Sequence, residues 1–297
     1  MTDFRITYDF FLSHPLIKRH PIRSFSVFLW WQLQSRLRPS KFFEKNFIPP
    51  LKLYARKGLA GATGNLYAGL HEFNEMGFLL HVLKHGDTFF DIGANIGSYT
   101  LLASGICKAN SVAFEPVAST FDILAQNIAL NQLQDKVILK NAAAGAREGN
   151  ILFSTGEDTT NHVIANDEPG DPESITVPVL TVDALAANQP PLLVKIDVEG
   201  FETEVLKGMP QLLDSSILKA IIIELNGSGD RYGFNDDAIH QLLISKGFRP
   251  CSYDPFSRKL TILSTYQTEN IIYCRDLDLL NERVKTAAAI KVMGELI

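Results

Sequence analysis

Thr88-Phe-Phe-Asp-Ile-Gly-Ala-Asn-Ile-Gly-Ser-Tyr-Thr100 is the stretch around which the rest of the chain is read. Phe89 and Phe90 end a short apolar run of the kind that forms a buried strand. Asp91, Gly93, Asn95 and Gly97 follow, and Ser98-Tyr-Thr-Leu-Leu-Ala opens a helix. Strand, glycine turn and helix in that order make the first half of a doubly wound nucleotide site. Glycines let the backbone approach a ligand closely. The helix N-terminus offers its free N–H groups to the same spot.

Spacing narrows the ligand. A dinucleotide fingerprint needs Gly-x-Gly-x-x-Gly, and Asn95 and Ser98 stand where its second and third glycines belong. The Gly-Lys-Ser/Thr of a P-loop is absent. The pattern present, Asp-x-Gly-x-Asn-x-Gly, resembles motif I of class I methyltransferases that use S-adenosylmethionine (SAM). In those enzymes the loop wraps the methionine end of the ligand. Ser111-Val-Ala-Phe-Glu-Pro116 reads as the next strand, stopped by Pro116. Its Glu115 lies 18 residues beyond Gly97. An acid at about that distance accepts hydrogen bonds from the ribose of an adenosine. The predicted cofactor residues are therefore Asp91, Gly93, Asn95, Ile96, Gly97, Glu115 and Pro116, with Asn141 and Ala142 bordering the adenine.

The 297 residues suffice for one α/β domain with an extension, and 46% apolar content supplies its core. Charge is uneven. Residues 1–60 hold 11 Lys/Arg and 3 Asp/Glu, net +8; the rest hold 17 and 30, net −13. An acidic body opposes a nucleic-acid partner. Cys107, Cys251 and Cys274 are scattered, which suits a reducing cytoplasm better than a zinc site or disulfide framework. No apolar run approaches the roughly 20 residues of a membrane span, and the first residues lack a signal-peptide pattern. The expected location is cytoplasmic, with contact at the inner membrane face through residues 1–60 as an option.

In chain order, Ser24 to Leu33 reads as a helix bearing Trp30 and Trp31, flanked by Arg23, Arg36, Arg38 and Lys41. It is expected to pack on the domain or a second subunit, with an anionic membrane surface the alternative. Gly58 to Leu70 reads as a loop or small hairpin, and His71 to Leu83 as a helix. Glu72 and Glu75 on it are expected to be a solvated pair, with reach toward the methionine ammonium of the ligand the alternative, and His81 and His85 surface residues. Val117 to Leu130 is helical, and Val137 to Ala144 a strand. Between the β-like runs Ile151–Ser154 and Ser174–Val179 lies a polar excursion with Asn161, His162, Asp167, Gly170 and Pro172, expected to cover a substrate. Leu192-Leu-Val-Lys-Ile-Asp-Val-Glu-Gly-Phe-Glu202 is a buried strand ending at Asp197, where open α/β sheets bind ligands. Ile217 to Leu225 is another, ending in Glu224 and Asn226. Phe248–Cys251 and Glu269–Arg275 close the sheet, and Leu277 to Ile297 is expected to be a terminal helix.

With Phe90-Asp-Ile-Gly-Ala-Asn-Ile-Gly97, Glu115-Pro116 and Lys195-Ile-Asp-Val-Glu-Gly200 in order, the chain resembles the FkbM family of SAM-dependent methyltransferases over roughly residues 64–275. The resemblance implies a Rossmann-like doubly wound α/β fold. Its sheet would have seven strands, mostly parallel with one antiparallel near the edge. It also implies O-methylation of a hydroxyl on a sugar, glycan, glycolipid or polyketide-derived product. The domains would then be 1–60, a basic and partly helical N-terminal extension, and 61–297, the methyltransferase. Asp197 is the expected base, acting directly or through His162. Mg²⁺ held by Asp197, Glu224 and Asn226 is the less favoured alternative, so no metal ligand is assigned. A non-catalytic SAM-binding module and a NAD(P)-dependent oxidoreductase are the competing functions. A DNA amino-methyltransferase is opposed, because Pro190-Pro191 precede the Asp197 strand instead of following it. Oligomerisation is left open.

Overall fold

The computed structural model describes residues 2–154, 161–164, 174–266 and 269–297. Thr88–Ile92 sits within an eight-stranded sheet. The strand order is Lys259–Ile262, Arg249–Asp254, Glu269–Cys274, Ala220–Leu225, Leu193–Ile196, Thr88–Ile92, Asn110–Phe114, Val137–Lys140. Phe89 and Phe90 alternate across it and enter separate apolar clusters, one on each face. Full burial of a Phe contributes about 1.5–3 kcal/mol, so this strand is anchored from both sides.

Six strands share one direction, and Glu269–Cys274 inserts antiparallel between Ala220–Leu225 and Arg249–Asp254. That is the predicted doubly wound Rossmann-like arrangement with one addition. Lys259–Ile262 pairs antiparallel with Arg249–Asp254 as an eighth, outermost strand. None of its residues is buried, so it leaves no apolar alternation to read. The sheet order reverses between Thr88–Ile92 and Leu193–Ile196, which opens the crevice where such folds hold ligands. Register sets Asp91 directly opposite Lys195 there.

A second sheet of three strands stands above this end. Gly149–Phe153 pairs antiparallel with Ile175–Leu180, which runs parallel to Ala143–Ala144. The predicted strand from Val137 to Ala144 is thus split, with Val137–Lys140 in the main sheet and Ala143–Ala144 in the small one. Of the polar excursion, Asp167, Gly170 and Pro172 lie outside the described residues.

The N-terminal segment folds as helices Thr2–Ser13, Pro15–Arg19 and Pro21–Leu37, then a hairpin of Phe43–Asn46 with Lys52–Ala55. Leu16, Trp31, Phe43 and Leu53 enter the same apolar cluster as Phe89. The expected packing of this segment on the domain is therefore met by Trp31, whereas Trp30 faces outward.

Three expectations change. Gly58 to Leu70 is not a loop; Ala60–Ala68 is a helix. Its glycines weaken helix propensity, but Asn65 fixes it from inside. The Asn65 amide donates to the Gly61 carbonyl (2.8 Å) and the Ser98 hydroxyl (2.9 Å), and its oxygen accepts from the His71 N–H (2.9 Å). The terminal helix stops at Thr286, and Lys291–Val292 turns through Met293-Gly294 to pair with Glu295–Leu296. His81 is buried, with its Nδ1 2.6 Å from the Tyr253 hydroxyl, whereas His85 is exposed as expected. The Phe73–Val82 helix is covered on more than one face, so its polar positions do not all reach water.

Candidate active site

The loop after Thr88–Ile92 folds over the carboxyl ends of the central strands and borders a cavity of about 490 Å³. That size suits a small-molecule ligand. Gly93, Asn95 and Ile96 are on its wall. Asp91 is not: its Oδ2 accepts from the Thr100 backbone N–H (3.0 Å) and hydroxyl (2.6 Å). Asp91 therefore pins the helix start to the strand end. Burial raises its pKa, and Lys195 opposite pulls it back. Gly97 also lies off the wall, where a Cβ would come 2.4 Å from Leu124 Cδ1. The two outer members of the motif shape the loop, and the inner ones face the cavity.

Glu115 closes the next corner. Its Oε2 accepts from the Asn95 N–H and its Oε1 from the Val117 N–H, each at 3.0 Å. Each oxygen keeps acceptor capacity, since a carboxylate offers about four sites. Burial pushes the Glu115 pKa up to about 7; the two backbone donors hold it down, and Asp91 and Asp197 add to the rise. Pro116 and Ala142 line the cavity. Asn141 does not: its amide donates to the carbonyls of Glu115 (2.9 Å) and Pro116 (3.1 Å), holding that turn in place. Buried Ala142, Ala143 and Ala144 give a smooth wall beside it.

Across the crevice, Asp197 accepts from the Lys195 ammonium at 2.7 Å. Lys195 is buried and sits 4.9 Å from the centre of the Tyr99 ring. Burial works against its ammonium, yet Asp197, Glu72 and Asp91 together push its pKa above the ordinary lysine range. Oxygens of Asp197, Glu199 and Glu224 come within 4.8 Å of one another. Burial, then Asp197 and Glu199, raise the Glu224 pKa to about 8. Burial, then Asp197 and Glu202, raise that of Glu199 to about 7. Glu202 accepts from the N–H groups of Val198 and Gly200, both at 3.2 Å, and so shapes the turn that presents Glu199. Asn226 does not join this group; its oxygen accepts from the Ser228 N–H at 2.8 Å. The candidate Mg²⁺ ligands of the sequence thus change from Asp197, Glu224 and Asn226 to three carboxylates.

Glu72 apart, the opposite wall was not legible in the sequence. Thr7 and Phe10 of Thr2–Ser13 contribute to it, as do Gly61, Asn65, Glu72 and Met76. Glu72 and Glu75 are not the solvated pair expected. Glu72 accepts from the Tyr99 hydroxyl (2.5 Å) and the Asn270 amide (2.8 Å). Burial, with Glu72 and Glu269 nearby, raises Glu75 to about 7. Asn127 was also missed. It donates to the Ile96 carbonyl and accepts from the Tyr54 N–H, both at 2.8 Å, tying the glycine loop to the N-terminal hairpin. His162 is off the wall, although Asn161 and Val163 on either side are on it. Its backbone N–H donates to the Ser154 hydroxyl at 2.9 Å, and its Nδ1 is 3.4 Å from that oxygen. A proton relay through His162 has no support in this placement.

The family described as the methyltransferase FkbM domain matches residues 91–250. A curated relative, the hexuronic acid methyltransferase AglP of Haloferax volcanii, is 33% identical over 155 residues, which are 51% of this chain and 61% of that protein. The chain thus matches less than two thirds of its relative's length. Among solved structures, the FkbM methyltransferase of Methylobacillus flagellatus aligns at 15% identity and a TM-score of 0.45, over 71% of this chain and 52% of that one. A rRNA methylase of Streptococcus thermophilus aligns at 15% and 0.38, over 67% and 91%. The match over residues 91–250 contains the glycine loop, Glu115 and the Asp197 strand, and the chain belongs to the FkbM methyltransferase family.

Proposed function

We propose that this chain is a SAM-dependent O-methyltransferase acting on a sugar hydroxyl. The observation that carries the reading is the set of Asp197, Glu199 and Glu224 carboxylates on the same cavity as Glu115 and the glycine loop. The donor set fits SAM. With SAM bound, Glu115 would accept from the ribose hydroxyls, Ala142 to Ala144 would hold the adenine and Gly93 to Ile96 the methionine end. Bound there, SAM supplies an electrophilic methyl on a sulfonium. Asp197 takes the proton from the acceptor hydroxyl as it attacks, the role of a positioned general base. Lys195 holds the Asp197 carboxylate in place through their ion pair.

The relative's name points to hexuronic acids, which offer both hydroxyl and carboxylate oxygens. The cavity favours the hydroxyl. Among the described residues its wall bears Glu72, Glu115, Asp197, Glu199 and Glu224 against Lys195 as the one Lys or Arg. A carboxylate acceptor would meet like charge and needs no base, whereas a hydroxyl needs one. The methylated product should therefore be an ether that survives mild alkali. A product that alkali cleaves is an ester and rejects the hydroxyl reading.

Two further results are expected. Glu115→Ala should weaken SAM binding by roughly 10- to 100-fold, the loss of charge-assisted hydrogen bonds worth about 1.5–3 kcal/mol. Calorimetry with SAM and NAD checks it, and tight NAD binding without SAM binding rejects the family ligand. Turnover should climb with pH as Glu224 ionises at about 8, because its carboxylate then adds negative charge within 4.8 Å of the oxygens where the acceptor proton arrives. Glu224→Gln should flatten that limb; an unchanged profile removes Glu224 from the reaction.

A further inference from the structure

The helix Pro21–Leu37 carries its more apolar side outward. Ile22, Phe25, Leu29, Trp30, Leu33 and Leu37 are each more than half exposed, with Trp30 at 62% and Ile22 at 83%. The side turned to the body buries Ser24, Trp31 and Ser35. At 3.6 residues per turn the six exposed side chains fall within an arc of about 140°. Arg23 and Arg36 stand near its two edges. A helix at the surface of a globular protein normally has the reverse arrangement. From Phe10 to Phe43 the chain has six Lys/Arg and no Asp/Glu. Arg23, Arg36 and Arg38 are exposed and form no ion pair among the described residues.

We propose that this face docks on an anionic lipid surface. The apolar arc would enter the boundary between headgroups and acyl chains, with the arginines at the level of the headgroup charge. An indole beside cationic side chains is the usual composition of an interfacial helix. A second copy of the chain suits the face less well. Two such faces would bring six arginines together, Arg23, Arg36 and Arg38 of each copy, with no acid between Phe10 and Phe43 to pair them. No helix among the described residues is long and apolar enough to cross a membrane, so the contact is peripheral. The neighbouring Thr2–Ser13 helix exposes Tyr8 and Leu12 while Thr7 and Phe10 line the cavity. Its Phe11 packs edge-on against Phe28 of the long helix, with ring centres 5.5 Å apart. Docking therefore brings the cavity close to acceptors carried on lipid.

The test is co-sedimentation of the full chain with phosphatidylglycerol and phosphatidylcholine vesicles at low and high salt. Binding is expected to the anionic vesicles, to fall with salt, and to be at least about 10-fold weaker on the neutral ones. Leu29→Glu with Leu33→Glu should abolish it while SAM binding stays unchanged, which shows that the variant is folded. Arg23→Gln and Arg36→Gln should each cost about fivefold. Failure of the full chain to bind either vesicle at low salt overturns the proposal. So does full binding by the Leu29/Leu33 variant. A lipid-free dimer that the same double substitution dissociates would instead assign the face to a second copy.

Discussion

Asp197→Asn is expected to lower turnover by about 10²- to 10⁴-fold, the usual contribution of a positioned general base, while SAM affinity changes little. The amide keeps the shape of the side chain but cannot take a proton from the acceptor. It also takes from the Lys195 ammonium, 4% exposed, the negative charge of its 2.7 Å partner, because the amide oxygen accepts the hydrogen bond without neutralising it. The substitution therefore acts on stability as well as on chemistry, and two readouts separate the causes. Thermal melting reports the stability lost, and single-turnover rates at saturating SAM report the chemistry. A large rate loss with SAM binding intact at a temperature well below melting assigns the base to Asp197. Wild-type turnover in the variant removes that role. Treating the wild type with EDTA adds a third arm, because Asp197, Glu199 and Glu224 are close enough together to share a cation. Activity that EDTA abolishes and Mg²⁺ restores would give these carboxylates to a metal and leave proton removal to the metal-lowered acidity of the hydroxyl.

Gly93→Ala is expected to be the most damaging glycine-to-alanine change among the described residues. Gly93 has φ +80°, and a Cβ placed there would lie 1.8 Å from the Asp197 carbonyl oxygen. That oxygen is backbone in the central strand's neighbour and cannot swing away. Positive φ alone costs a non-glycine residue roughly 1–2 kcal/mol; the clash should take the total beyond about 3 kcal/mol, a drop of roughly 6–12 °C in Tm for a chain of this size. SAM binding should be lost with it, because the loop must lift away from the Asp197 strand. Gly86→Ala is the control. Gly86 has φ +88°, and a Cβ there would meet nothing within 4 Å, so only the backbone penalty applies. Equal melting shifts for the two variants would show that the contact with Asp197 contributes nothing.

Local chemistry was what the sequence made legible. A strand that must be buried, a turn that must be glycine and an acid at nucleotide spacing all lie within thirty residues, and the structure places them on one crevice. The Asp197 strand was readable for the same reason. Features made by distant contacts were not. The Ala60–Ala68 helix depends on Asn65 reaching Ser98 and His71, which no local pattern announces. Glu72 looks like an ordinary helix-face acid until Tyr99 and Asn270 are placed around it. Lys259–Ile262 is an edge ordered by its pairing with Arg249–Asp254 and by Leu260 against the core. His162 failed in another way: a polar segment can be foreseen over a site, but which of its side chains points inward depends on extended-strand alternation that begins at an unknown register.

The cavity is assembled from two sources. The family match begins at Asp91, yet Thr7, Phe10, Gly61, Asn65, Glu72 and Met76 all lie before it. The wall thus joins residues inside the matched segment, which carry the glycine loop and Glu115, to residues outside it, which close the cavity from the other side. Enzymes built this way can exchange acceptors without renegotiating donor chemistry. Grafting the first 76 residues between relatives, rather than mutating the shared core, is the natural route to a changed substrate range.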